Sequence, residues 1–176
     1  MAKHHGPVLV DTMVIIECWR VSAWRALTGG YGVETVEMCE IETQTGLQRR
    51  RVEQQIERSV LRETLKAVHQ VSEIEKARAL LQDDLVRFLD AGDLMLWAHA
   101  LKRPDAWVLC GPDKASLRLG IRLGFKDRLI SLEGLLVDAG HNPKIALGRQ
   151  YTRKWHTEAL AQMAMLETKM PGRKKP

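Results

Sequence analysis

The stretch PVLVDTMVII, residues 7–16, decides how the chain is read. Pro7, Val8, Leu9 and Val10 are apolar without alternation, and the run stops at Asp11. A short strand that is apolar on both faces belongs in a parallel sheet covered on both sides. AWVLC at 106–110 repeats the pattern and is followed by the turn Gly111-Pro112-Asp113. Working outward, further strands are expected near Val33, over 65–71 (containing KAVHQV) and, as a core strand, over 127–131. Helical patterns fill the spaces between. One runs over 14–27, closed by Gly29, Gly30 and Gly32. A second follows Val33, with Thr35 as N-cap and Val36, Cys39 and Thr43 on the buried face. A third starts at Ser72, where Glu75 completes a capping box and Leu80, Leu81, Leu85 and Phe88 continue an apolar face. Others span Asp90 to Leu101, 114–123 and 132–139. Alternating strands and helices predict an α/β fold, a three-layer α/β/α sandwich around a mainly parallel sheet. The chain beyond Gly140 differs: a Met-rich helix over 157–170, then the basic tail PGRKKP. The expected organisation is a domain over 1–140 and a C-terminal helical extension over 141–176.

The 176 residues are 45% hydrophobic, enough for a packed core. A net charge of +5 is compatible with a polyanionic partner without specifying one. Cys18, Cys39 and Cys110 lie in apolar surroundings and form no CxxC pair, which argues against a zinc site or a disulfide framework and for a reducing cytoplasm. Asp11 and Glu17 interrupt the N-terminal apolar run, so it reads neither as a signal peptide nor as a membrane span. No glycine-rich turn follows the first strand, which excludes a dinucleotide fingerprint. Asp11-Thr12-Met13 lacks the second acid, two residues on, that one large phosphatase family requires of its nucleophilic aspartate.

The acids carry the chemistry. Asp11 and Asp113 both fall at carboxyl ends of strands, where open α/β sheets bind ligands. Asp93 sits in the first turn of its helix and Glu42 on another helix. Each has an ordinary reading alone: N-cap for Asp11, dipole partner for Asp93, turn residue for Asp113, solvated helix acid for Glu42. Brought together, four carboxylates repel and call for a divalent cation, and an all-oxygen set suits Mg²⁺ or Mn²⁺. Such an ion can activate water against a phosphodiester.

These segments resemble the PIN-domain nucleases, the fold of VapC-type toxins, over roughly residues 7–139. The carrying stretches are VLVDTMVII, CEIETQTG, LDAGDLMLWAHAL and WVLCGPDKASLRLGIRLG. The resemblance implies that Asp11, Glu42, Asp93 and Asp113 are catalytic and hold Mg²⁺ or Mn²⁺, with Thr12 as the hydroxyl residue after the first Asp. It implies a ribonuclease, with RNA as substrate and an antitoxin as a possible protein partner of a toxin; a homodimer stays open. Glu40 is the alternative to Glu42, and Glu37 lies close by. Met13 stands where many members carry Asn, and Gly111-Pro112 replaces a polar residue. These departures keep open a second reading, a catalytically inactive PIN-like module that binds RNA or a protein. Glu17 and Asp90 are candidates for supporting the acids from outside. Lys114 and Arg118 could face phosphate, and Arg49-Arg50-Arg51 with Arg58 and Arg62 could form an RNA-binding stripe. Trp19, Trp24, Trp97 and Trp107 read as core, Trp155 as packing or base stacking, and His99 as a half-buried or catalytic residue.

Overall fold

The computed structural model describes residues 4–46 and 49–169. The basic run Arg173-Lys174-Lys175 therefore lies outside the described residues.

Four short strands build one all-parallel sheet: β1 (Val8–Val10), β2 (Val33–Val36), β3 (Ala67–His69) and β4 (Val108–Cys110), in the order β3-β2-β1-β4. Alternate residues feed two cores, which is why these strands read as unbroken apolar runs. Val8, Val10, Val33, Val108 and Cys110 pack one way, against helices α1 (Thr12–Arg20), α2 (Trp24–Gly30) and α8 (Leu132–Asp138). Leu9, Val36 and Leu109 pack the other way, with Cys39 of α3 (Glu37–Gln44), Leu96 and Trp97 of α6 (Ala91–Leu101), and Leu117 and Leu119 of α7 (Lys114–Arg122). The result is helix, sheet, helix in three layers.

β1 lies between β2 and β4. The chain leaves β1 toward β2 and β3, then returns to β1's other side at β4. That reversal is the switch point at which the helices on either side diverge and leave a crevice above the strand ends. Asp11 and Asp113 follow the two strands that flank it.

Several elements differ from the sequence reading. The helix expected over 14–27 is two helices, α1 and α2, because Ser22 turns the chain at a left-handed φ of 56°. Thr35 is no N-cap: it lies inside β2 and donates from its hydroxyl to Val10 O at 2.7 Å, so it stitches the two strands. The basic stretch after Gly46 contains a helix, α4 (Arg58–Thr64), anchored by buried Leu61. The strand expected over 127–131 shrinks to one parallel bridge between Leu129 and Leu109, because the chain before it is a 3₁₀ turn. The helix α5 (Glu73–Gln82) has its capping box, yet Leu81 and Phe88 are 87% and 71% exposed; Ala79, Val86 and Leu89 are the residues that pack inward. The last helix, α9 (Arg153–Thr168), lies along α7. Lys114 Nζ donates to Gln162 Oε1 at 2.9 Å, and Arg118 and Arg122 both pair with Glu167. Ahead of it, buried Tyr151 donates to Met13 O at 3.3 Å. Trp24, Trp97 and Trp107 are buried, and Trp19 and Trp155 pack partly buried against the two cores. Among the described residues, no helix is long and apolar enough to cross a membrane.

Candidate metal centre

Asp11, Thr12, Met13, Glu42, Asp90 and Asp93 line one small cavity of about 140 Å³ above the end of β1. Local structure delivers each carboxylate. Asp11 ends β1 and caps α1, with Val14 N donating to its Oδ1 at 2.8 Å. The cap engages that oxygen; the other, Oδ2, lies against Gly111, where a Cβ would come within 3.2 Å of it. Glu42 comes from α3 and is held by Thr12, whose hydroxyl donates to its Oε2 at 2.5 Å. Asp93 sits in the first turn of α6, behind the N-cap Asp90, which accepts from Asp93 N at 2.9 Å. Asp113 caps α7 through Ser116 N at 2.9 Å and is exposed at the rim, where its charge reaches both Asp11 and Asp93.

Three of the four acids singled out from sequence therefore line the cavity, and the fourth acts on it from the edge. Asp90 joins them as a lining residue, although its N-cap position alone had suggested support. Gly92 of the G-D pair and Gly111, which stands as a departure from the family's pattern, have a spatial role. A Cβ at Gly92 would stand 2.6 Å from Glu42 Oε2 and 3.2 Å from Cys39 Sγ. Gly92 and Gly111 are thus the spaces into which the carboxylates of Glu42 and Asp11 fit. The G in G-D and in G-P-D was the available signal.

The choice between Glu40 and Glu42 follows from partners. Glu40 points away into a fully buried position and is paired with Arg58 at 3.0 Å and with Arg62. The Arg62 hydrogen bond leads in holding its carboxyl down to about 2. It has no charge left for a cation. Three arginines of the basic stretch have partners within the protein: Arg58 and Arg62 pair with Glu40, and Arg50 donates to the carbonyls of Thr43 and Glu42 at the end of α3. Lys114 and Arg118 bind α9 rather than facing the cavity. Glu17 pairs with Arg20 and accepts from Gly148 N at 2.6 Å, so it fastens the segment after α8 and takes no part in the acid cluster.

The electrostatics are those of charges gathered without a counter-ion. Burial, followed by the charges of Asp90, Asp113 and Glu42, pushes the Asp11 carboxyl up to about 7 against the pull of the Val14 hydrogen bond. Asp93 is raised well above its usual range by burial first and by Asp11 next, and a hydrogen bond from Ser116 only partly opposes this. Its Oδ1 is buried without a hydrogen-bond partner. A carboxylate oxygen left bare in a closed pocket is costly. It is also the atom a cation would satisfy.

A stability test follows. A carboxyl with a raised folded-state pKa leaves the fold unpenalised below its unfolded value near 3.8, and stability is lost as pH climbs through about 7. Asparagine at position 11 keeps the cap and drops the charge. In EDTA, Asp11→Asn is expected to melt above wild type by an amount that grows between pH 5 and pH 8 to roughly 5 °C, equivalent to about 2 kcal/mol in a chain of this size. Thermal denaturation across that range checks it; a gap that does not change with pH would contradict it.

The donor set fits a hard divalent ion: carboxylate oxygens only, one of them unpartnered, in a cavity of ion-and-water size. Compared with protein-family models, curated proteins and solved structures, the chain finds no match in any of the three.

Proposed function

We propose that this protein is a Mg²⁺- or Mn²⁺-dependent endoribonuclease of PIN type, with Asp11, Glu42 and Asp93 as the ligating acids, Asp90 lining the cavity beside them and Asp113 at the rim. The observation that carries the reading is the bare, buried Oδ1 of Asp93 beside the protonation-prone Asp11 at the sheet's switch point. When bound, the ion would supply positive charge to the phosphoryl oxygens and a water acidified enough to lose a proton and attack the phosphorus. The protein's part is positional. Thr12 fixes the Glu42 carboxylate, Val14 N fixes Asp11, and Trp97 Nε1 donates to Ser116 Oγ at 2.8 Å, aiming the Ser116 proton at Asp93. Gly92 and Gly111 keep the floor of the cavity open. Asp113, exposed on the capping turn of α7, adds negative charge that reaches Asp11 and Asp93 from the rim. As a toxin, such an enzyme would be restrained by a partner protein covering this rim.

Incubating purified protein with single-stranded RNA tests the reading. Cleavage is expected with Mn²⁺ or Mg²⁺ and none with EDTA. Glu42→Gln is expected to lose cleavage and Glu40→Gln to retain it while melting lower, because Glu40 compensates two arginines rather than an ion. The reverse pattern would discard the assignment, and RNA binding without cleavage under all metals would favour the inactive module.

A further inference from the structure

A second cluster of ligating side chains lies apart from the acid cavity, on the same face of the sheet. Glu34 of β2 and His69 of β3 lie on this face, and His99 reaches them from the last turn of α6. Asp93 and His99 are six residues apart on α6, about 9 Å along its axis, so the two clusters lie toward opposite ends of one helix. One donor atom each from Glu34, His69 and His99 lie within 4.8 Å of one another. Glu34 and His99 are each 3% exposed, and the two imidazoles stack at 3.9 Å.

The present occupant of this cluster is a cation. Arg103 Nη1 donates to Glu34 Oε2 at 2.6 Å and lies 2.9 Å from His99 Nε2, while His69 Nε2 is 2.7 Å from the same Glu34 oxygen. One guanidinium N–H thus stands where a carboxylate oxygen and an imidazole nitrogen converge. The other side of that guanidinium is clamped on Asp105, by Nε at 2.9 Å and Nη2 at 2.7 Å. Withdrawing Nη1 would leave Arg103 with its Asp105 pair. Lys66 Nζ is more distant, 3.9 Å from Glu34 Oε1. Because the arginine donates to His99 Nε2, that nitrogen offers a lone pair, and the His99 Nδ1 is buried with no partner. Burial and the neighbouring cationic side chains hold His99 down to about 4, so the ring is neutral and ligand-ready at ordinary pH. His69, with 28% of its side chain exposed, is the ring with freedom to tilt off the stack.

We propose that Glu34, His69 and His99 form a second metal site, for a late first-row divalent ion of the Zn²⁺ type, which Arg103 closes in the ion's absence. Two nitrogen donors and one oxygen donor suit Zn²⁺ or Co²⁺ better than Mg²⁺. The cysteine pattern spoke against zinc; histidines from β3 and α6, thirty residues apart, gave no local motif. Neither histidine touches the acid cavity, so this site is independent of the nuclease reading. A structural ion there would tie β2, β3 and the C-terminal end of α6 together.

Co²⁺ is the probe, because its visible d–d absorption shifts and strengthens when the ion leaves octahedral water for a four- or five-coordinate protein site. The full-length protein is titrated with Co²⁺ alone, and the bound ion is then displaced with Zn²⁺. Wild type is expected to give a saturable band that Zn²⁺ abolishes. His69→Gln, at the half-exposed ligand, is expected to weaken binding at least ten-fold. Arg103→Met, which removes the competing cation, is expected to tighten it about ten-fold. Asp11→Asn and a His4→Ala, His5→Ala double variant are expected to keep the band, which separates this site from the acid cavity and from the N-terminal histidines. No band in wild type, a band indifferent to His69→Gln, or an affinity unmoved by Arg103→Met would overturn the proposal.

Discussion

Replacing Asp93 with asparagine is expected to cut RNA cleavage by about 100-fold or more, the scale on which catalytic sites lose rate when a group stabilising the transition state is removed, while the fold holds or tightens. The two halves of this expectation have one cause. Asp93 is buried, its Oδ1 has no partner, and burial with the Asp11 charge raises its carboxyl well above the usual range. Without a cation the charge costs stability; with one, it would serve as a ligand. Asparagine keeps the shape and the backbone position behind the Asp90 cap, and its amide can still accept from Ser116. A variant that is inactive and melts at or above wild type in EDTA therefore fits. An inactive variant that also unfolds would say only that Asp93 supports α6. Cleavage assays and thermal melts on one preparation separate the cases.

The second large effect is expected from a methyl group. Gly92 lies in α6, where alanine would ordinarily be favoured by up to about 1 kcal/mol. Here the added Cβ would meet Glu42 Oε2 at 2.6 Å and Cys39 Sγ at 3.2 Å. The first obstacle is the free end of a long side chain, so the fold can yield by turning the carboxylate aside. The expected result for Gly92→Ala is a melting temperature within about 2 °C of wild type, near the few degrees that 1 kcal/mol represents in such a chain. Cleavage is expected to fall by 10- to 100-fold, the usual cost of misplacing a metal ligand's support. Displacing Glu42 also breaks its bond from Thr12. A Gly92→Ala protein of full activity would remove Glu42 from the site.

Much of this arrangement was legible in the residues. The apolar runs ending at Asp11 and before Asp113 located β1 and β4, and strand-end acids at a parallel sheet point into its crevice. The ordinary and functional readings of these acids proved compatible: Asp11, Asp90 and Asp113 each cap a helix with one oxygen and carry charge to the cavity with the rest. Other features depended on distance in sequence. That Glu40 is neutralised by Arg58 and Arg62 needs α4, a helix hidden in a polar stretch and anchored by Leu61. The break between α1 and α2 rests on Ser22, a residue with no strong preference for a left-handed turn. The exposure of Leu81 and Phe88 could not be read from periodicity, because the helix ends at Gln82 and a 3₁₀ turn over Asp84–Phe88 resets the phase, so that Ala79 of the one and Val86 of the other face inward. The Glu34, His69 and His99 cluster depends on the β2–β3 register and on where α6 ends. No linear spacing carries that.

If the acids share a cation, calorimetric titration of metal-free protein with Mn²⁺ at pH 8 will register it. Wild type is expected to bind Mn²⁺ and to melt higher when loaded; Asp93→Asn, folded to the same degree, is expected to show neither. Equal Mn²⁺ binding by the two proteins, or none by wild type, would mean that these carboxylates meet for some other reason.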